Sequence, residues 1–153
     1  MKGVLLFLAT TGLSALPRVP PAPGTFGTLV GGVPTYLLLA QLPAPLAGAG
    51  GLAVVALAVV VAGRAEVALG RHDAGIITVD EVAGFLVAMV GVPPEPRYVA
   101  AGLVLFRLFD IVKPYPADRI DAAMTGGVGT VLDDCVAGLY AWLALAGLRW
   151  VGL

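Results

Sequence analysis

Five carboxylates lie where apolar segments of the chain begin or end, although charged residues are scarce in this sequence. They are Asp80, Glu81, Asp110, Asp133 and Asp134. Burying five unpaired charges in a bilayer at about 2.5 kcal/mol each would cost about 12 kcal/mol, which rivals the stability of a whole domain. Such a group requires protons, water or a divalent cation, and carboxylate oxygens favour Mg²⁺, Mn²⁺ or Ca²⁺ over zinc. The residue types therefore indicate a hard-cation site.

Two basic residues, Arg107 and Lys113, accompany this acidic group in one predicted helix. Arg107, Asp110 and Lys113 occupy positions i, i+3 and i+6, so they share roughly one helical face before Pro114 ends the helix. The simpler interpretation is an ion pair between Arg107 and Asp110 at a helix end. The alternative is a cation–anion–cation strip that faces a cavity. A hard cation beside arginine and lysine suits phosphate-ester chemistry, because a metal polarises the phosphoryl group and activates water.

Two glycine-rich segments add groups that could contact an anion. In residues 20–28, prolines precede Gly24, Thr25 and Thr28 at the start of an apolar helix, and in residues 126–138 glycines lead to the paired aspartates. Backbone N–H groups at a helix N-terminus attract phosphate. The plainer interpretations are a threonine N-cap in the first segment and close helix packing in the second.

The only histidine, His72, is followed by Asp73 in the segment before Asp80 and Glu81. The segment thus holds four potential metal ligands. Acidic residues at a helix start also complement the helix dipole, and a lone histidine is more typical of a loop residue than of a ligand. The segment alone therefore leaves both interpretations open.

Composition indicates a membrane protein. The 153 residues support one domain, 1–153, in which 59% of residues are hydrophobic and 12% are charged, whereas soluble domains average about 25% charged. Nine basic and ten acidic residues give a net charge of −1, which argues against nucleic-acid binding. One cysteine excludes a disulfide framework and a thiolate zinc site.

The apolar segments predict an all-α membrane bundle of about four to five hydrophobic helices, with short helices on the cytoplasmic side. The expected hydrophobic helices are 29–42, 51–62, 76–92, 98–112 and 135–150. The turns near 43–51 and 93–97 would lie on one side and the carboxylates on the other. Seven of the nine basic residues lie on the carboxylate side, which places that side in the cytoplasm by the positive-inside rule. The third and fourth helices either cross the bilayer or stop partway.

Four segments, in this order, resemble the phosphatidylglycerophosphatase A family of bacterial membrane lipid phosphatases. They are residues 23–29, 72–84, 106–116 and 126–138. The resemblance implies a Mg²⁺-dependent, multi-pass enzyme of the bacterial inner membrane with a cytoplasm-facing site. Its substrate would be phosphatidylglycerophosphate, whose terminal phosphate is hydrolysed to give phosphatidylglycerol.

The resemblance also implies roles for individual residues. Carried over position by position, the cation ligands are Asp80, Glu81, Asp133 and Asp134. Asp110 would be a further ligand or the base for the attacking water. A covalent aspartyl-phosphate is an alternative to direct attack by metal-activated water. The catalytic residues would be Asp80, Arg107, Asp110 and Lys113.

The phosphate contacts are carried over in the same way. The residues expected to bind the phosphate are Gly24, Thr25, Thr28, Arg107 and Lys113. His72 and Asp73 would serve as an acid or an outer ligand.

The alternative function is a small ion or solute transporter subunit, because intramembrane carboxylates also mark ion pathways. A pathway would place polar residues along the full span. The halves of the predicted helices near 43–51 and 93–97 are almost bare of them, which favours a site at one surface.

Overall fold

The computed structural model describes residues 2–72 and 74–152, and every regular element within these ranges is helical. The α-helices of the described residues are α1 (Lys2–Ala9), α2 (Pro23–Gly27), α3 (Val33–Leu39), α4 (Ala44–Leu69), α5 (Val79–Ala88), α6 (Pro96–Val112), α7 (Ala117–Ala123) and α8 (Gly126–Trp150). A 3₁₀ turn, Leu13–Ala15, follows α1, and a π-helical segment, Thr28–Gly32, joins α2 to α3. The prediction of an all-α fold is confirmed. Asp73 lies outside the described residues.

The last helix, α8, lies at the centre of the fold, because α4, α5, α6 and α7 all pack against it. Glycines bring two of these partners close. A methyl group at Gly138 would overlap the carbonyl group of Gly84 on α5, and one at Gly127 would overlap the carbonyl group of Val59 on α4. Small residues let helix backbones approach in this way, so these glycines form packing surfaces.

The start of α8 corrects the sequence-based expectation. The helix begins at Gly126, not at residue 135, so Asp133 and Asp134 lie inside it and not before it. The glycine-rich segment before the aspartates is helical, and Gly127 within it packs directly on the backbone of α4. The paired aspartates are consequently buried between helices and are 3% and 4% exposed.

Aromatic side chains fill the core between α3, α5 and α6. Phe85 is fully buried, and its ring packs edge-to-face against Tyr36 and against Phe106, with ring centroids 6.2 Å apart in each pair. The Tyr36 hydroxyl donates a 2.8 Å hydrogen bond to the carbonyl of Val92. This bond satisfies the one polar atom of a buried ring and ties α3 to the segment that follows α5.

Within residues 2–72 and 74–152, two helices are long and apolar enough to cross a membrane, α4 with 26 residues and α8 with 25. Most of α4 is uncovered: Leu52, Leu57 and Val67 are 74%, 56% and 84% exposed. An apolar surface of this kind suits contact with lipid, and the two helices together support membrane association. With 10 residues, α5 is only about 15 Å long. The predicted four to five hydrophobic helices are therefore not confirmed.

Two further helix ends differ from expectation. α4 begins at Ala44, not near residue 51, because prolines are compatible with the N-cap and the first turn of a helix. Gly48, Gly50 and Gly51 thus lie in the helix and not in the turn. At the end of α6, Lys113 has a left-handed backbone conformation with φ of 45°. Lys113 therefore leaves the helical face that it was expected to share with Arg107.

Candidate metal and phosphate site

Three carboxylate side chains from two helices lie close together in the interior of the protein. Asp80 and Glu81 occupy the first turn of α5, and Asp134 lies about two turns into α8. One oxygen atom from each residue can be chosen so that all three atoms lie within 4.8 Å of one another. Asp80 and Asp134 are buried. The close packing of α5 on α8 is what brings these two short sequence segments together.

The oxygen atoms of this cluster are incompletely satisfied by the protein. Glu81 Oε2 and Asp134 Oδ2 are buried and have no hydrogen-bond partner among the described residues. The carboxylates of Asp80 and Asp110 also lie near Asp134 and add negative charge around it. Buried polar atoms normally have a partner. A hard divalent cation could satisfy these oxygen atoms, because it is positively charged and prefers oxygen ligands.

Burial raises the pKa of the Glu81 carboxyl to about 8. A hydrogen bond with Asp80 and the charge of Arg107 act in the opposite direction, while the charges of Asp134 and Asp110 reinforce the rise. The carboxyl therefore favours its protonated form near neutral pH, and a cation bound here would have to displace a proton.

Arg107 borders the acidic cluster and is 17% exposed at its side chain. Its Nη1 atom lies 2.5 Å from Asp110 Oδ2 and 3.7 Å from Glu81 Oε1. The Arg107–Asp110 ion pair, the simpler of the two interpretations from sequence, is present. The same guanidinium also lies beside Glu81 of the carboxylate cluster, but Lys113 does not share its helical face, so the three residues do not form the cation–anion–cation strip of the alternative.

The backbone of Gly24, in α2, closes this side of the cluster. A methyl group at Gly24 would overlap Glu81 Oε1 and would lie 2.6 Å from Arg107 Nη1. The nearby hydroxyl of Thr28 is fully buried and donates a 2.9 Å hydrogen bond to the Gly24 carbonyl oxygen. Thr25 is half-buried in the same helix. The predicted glycine–threonine segment therefore lies against the acidic cluster, with Gly24 closest.

Lys113 has different partners from those that its spacing suggested. Its Nζ atom donates hydrogen bonds to Asp133 Oδ2 at 2.6 Å and lies 2.8 Å from Asp121 Oδ1. Burial alone would lower the pKa of Lys113, but the hydrogen bonds with these two carboxylates outweigh burial and raise it. Successive helical residues point about 100° apart, so Asp133 faces Lys113 while Asp134 faces the three-carboxylate cluster.

His72 lies in the loop between α4 and α5, next to a buried acid that the sequence did not single out as a site residue. Its Nδ1 atom is 3.0 Å from Glu66 Oε1, and the Thr130 hydroxyl donates a hydrogen bond to the same oxygen. Glu66 could have been noticed in the sequence, because it is an acidic residue near the end of the apolar segment that forms α4. No sequence signal pointed to Asp121, because its contact with Lys113 depends on how the chain turns after α6.

The chain is similar to known proteins over most of its length. The family model for phosphatidylglycerophosphatase A matches residues 7–149. A protein named phosphatidylglycerophosphatase A from Haemophilus influenzae is 29% identical over 133 residues, which is 86% of this chain and 82% of that protein. The protein of the same name from Escherichia coli is 34% identical over 121 residues, 78% of this chain and 70% of that protein.

A third relative carries a different name. It is a putative phosphatidylinositol-3-phosphatase from Bacteroides thetaiotaomicron, 35% identical over 139 residues and 86% of each chain. No solved structure matches the chain. The family match covers almost the whole sequence and confirms the resemblance seen in four short segments. The chain belongs to the phosphatidylglycerophosphatase A family, and it is an enzyme of the phosphatase class.

Proposed function

We propose that this protein hydrolyses the terminal phosphate of phosphatidylglycerophosphate to give phosphatidylglycerol, and that it requires Mg²⁺. The observation that carries the proposal is the cluster of Asp80, Glu81 and Asp134, whose oxygens lie within 4.8 Å of one another beside a cationic side chain. Family membership supports the reaction, and the donor set supports the metal.

The residues present fit a hard cation. Asp80, Glu81 and Asp134 would hold it through carboxylate oxygens, which are the ligands that Mg²⁺ prefers, and Mg²⁺ usually keeps coordination positions for water and phosphate. When bound, the cation supplies charge that polarises the phosphoryl group and favours ionisation of a water molecule. Asp133 is set apart from this group by its hydrogen bond with Lys113.

The neighbouring side chains bind the phosphate and move the proton. Arg107 presents a guanidinium whose planar fork matches phosphate oxygens, and its ion pair with Asp110 orients it toward the cluster. Asp110 accepts a proton from the attacking water. As the water oxygen bonds to phosphorus, the bond between phosphorus and the glycerol oxygen breaks. Asp110 returns the proton to the glycerol oxygen, so that phosphatidylglycerol leaves with a free hydroxyl group and inorganic phosphate remains. Thr25 contributes a hydrogen bond at the edge of the site.

The acidic cluster lies at the cytoplasmic end of the membrane helices in this proposal. The basic residues of the chain concentrate at this end, as the positive-inside rule requires of a cytoplasmic side. The acyl chains of the lipid would stay in the bilayer while its headgroup enters between α2, α5 and α6. Phosphatidylinositol 3-phosphate is a second candidate substrate, because one relative bears that specificity in its name.

The test is phosphate release by the purified protein in detergent micelles. Phosphatidylglycerophosphate and phosphatidylinositol 3-phosphate are each supplied with Mg²⁺ and, separately, with a chelator. We expect Mg²⁺-dependent release from phosphatidylglycerophosphate. Preference for the inositol lipid would overturn the proposed substrate, and equal release in the chelator would overturn the proposed requirement for Mg²⁺. No release from either lipid would overturn the proposed reaction.

A further inference from the structure

An apolar cavity lies between α3, the first half of α4 and the C-terminal end of α5. Its volume is about 680 Å³, within the range of about 300–1,000 Å³ that is typical of ligand sites. The buried side chains of Tyr36, Leu86 and Val92 form its floor. The exposed side chains of Leu52 and Val90 form its rim. The cavity therefore opens onto the outer surface of the protein.

Two glycines of α4 keep this space open. Gly48 and Gly51 both line the cavity, and a methyl group built at either residue would meet no atom of the described protein within 4 Å. Gly127 and Gly138 of α8 differ, because a methyl group at either would overlap the backbone of a neighbouring helix. Small residues commonly let helices approach closely, but here they border a gap. The cavity thus results from missing side-chain volume on α4.

The lining of the cavity is a poor environment for water. Among the described side chains that line it, Tyr36 alone carries an oxygen or nitrogen atom, and its hydroxyl already donates a hydrogen bond to the Val92 carbonyl. A buried water molecule needs about two to four polar partners. Protein interiors also keep few voids larger than a water molecule. The cavity therefore suits a hydrocarbon group.

The length of the cavity matches one leaflet of a bilayer. Along α4 its lining extends from Ala44 to Val55, which is about 16 Å of helix. Half of the hydrocarbon core of a bilayer is about 15 Å thick. The rim residue Leu52 is exposed, and the α4 surface beyond it carries the exposed side chains of Leu57 and Val60. An acyl chain that lies against this surface can enter the cavity along its length.

The cavity is separate from the candidate phosphate site. Leu86 follows Glu81 by five residues, so the two side chains point about 140° apart around α5. Ala62, in the second half of α4, packs in one core cluster with Ile77, just before α5. The first half of α4 instead borders the cavity at the other end of α5. The cavity therefore lies in the half of the membrane span that is farther from the acidic cluster.

We propose that this cavity binds one acyl chain of a bilayer phospholipid, which lies in the leaflet opposite the acidic cluster and is not the substrate. The chain supplies the volume that α4 lacks and packs α3 and α4 against the end of α5. The proposal requires membrane association but does not depend on the proposed hydrolysis, so the two can fail separately.

Photo-crosslinking tests the occupant. The full-length protein is reconstituted in phosphatidylcholine vesicles that include phosphatidylcholine with a diazirine group in the middle of one acyl chain, and the adducts are mapped by mass spectrometry after illumination. We expect adducts on the buried floor residues Tyr36, Leu86 and Val92 as well as on the exposed residues Leu57 and Val60. Adducts on the exposed residues alone would overturn the proposal.

A substitution that fills the cavity separates its floor from the outer surface. Gly51→Phe should remove most of the floor adducts and leave those on Leu57 unchanged. Gly147→Phe is the matched control, because a methyl group at Gly147 also meets no atom within 4 Å and this glycine lies outside the cavity. Floor adducts at the wild-type level in Gly51→Phe would overturn the proposal. Gly48→Phe replaces Gly51→Phe if that variant fails to fold, and the same loss is expected.

A further arm identifies the source of the chain. Replacing part of the unlabelled phosphatidylcholine with phosphatidylglycerophosphate should leave the floor adducts unchanged, because the headgroup site and the cavity are separate. A loss of floor adducts would assign the chain to the substrate and overturn the separate lipid. A protein that releases no phosphate in micelles, but gives floor adducts that Gly51→Phe removes, would refute the proposed function and support the acyl-chain site.

Discussion

Lys113 Nζ lies 2.6 Å from Asp133 Oδ2, and this contact separates the roles of two adjacent aspartates. Asp133 is held by a lysine that also pairs with Asp121. Asp134, the next residue, points into the cluster with Asp80 and Glu81. The sequence predicts that both aspartates are ligands of one cation. In the structure, Asp133 belongs to an ion-pair network and Asp134 belongs to the candidate metal site.

This division predicts different consequences for two matched substitutions. Asp134→Asn should lower Mg²⁺-dependent phosphate release by about 100-fold, because a cluster ligand is lost. Asp133→Asn should leave the Mg²⁺ concentration for half-maximal rate unchanged and reduce thermal stability instead, because Lys113 loses a buried partner. Magnesium titrations of both variants check this, with the exposed Asp118→Asn as control. Equal effects of the two substitutions would contradict the division.

Arg107→Lys is expected to impair the enzyme although charge is kept. A lysine has no planar fork to bind phosphate oxygens in a bidentate manner, so kcat/KM should fall by about tenfold or more, equivalent to about 1.4 kcal/mol of transition-state binding. Steady-state kinetics measure the loss. Arg97→Lys, at an exposed residue that pairs with Glu95, is the control. If Arg107→Lys turned over normally, Arg107 would serve only as a structural partner of Asp110.

Gly24→Ala should reduce activity without unfolding the protein. The added methyl group would overlap the Glu81 carboxylate and crowd Arg107, so both side chains must shift. Displacements of about 1 Å in a catalytic group can cost about 100-fold in rate. Activity and the thermal unfolding midpoint should be measured together. Gly48→Ala is the control because a methyl there meets no atom within 4 Å, and full activity of Gly24→Ala would show that the site has more room than its contacts indicate.

The contact between α5 and α8 predicts a pair of opposite stability effects on one helix. Gly138→Ala should destabilise the protein by about 1–3 kcal/mol, because its methyl group would overlap the Gly84 carbonyl. Gly147→Ala meets no atom within 4 Å and should stabilise α8 by up to about 1 kcal/mol through helix propensity. Thermal unfolding in detergent measures both. A destabilising Gly147→Ala would mean that lipid or another contact covers that face.

Patterns of residue type were sufficient to predict several features of this protein. Scarce charge indicated the membrane, the apolar segments indicated an all-α fold, and four short segments indicated the family. The Arg107–Asp110 pair was also predictable, because its two residues are one turn apart on a single helix. Each of these features depends on local spacing or on composition, both of which are contained in the sequence.

Only the tertiary structure decided which of these groups meet. Helix ends depended on packing, since the glycine-rich segment before Asp133 could form either a turn or the first turns of α8, and only the structure places Gly127 against α4. The backbone turn at Lys113 redirected its side chain, and no periodic pattern encodes such a turn. The contact of Glu66 with Thr130 joins residues 64 positions apart. Long-range contacts of this kind result from how helices pack, so sequence alone specified the chemistry and the fold specified the site.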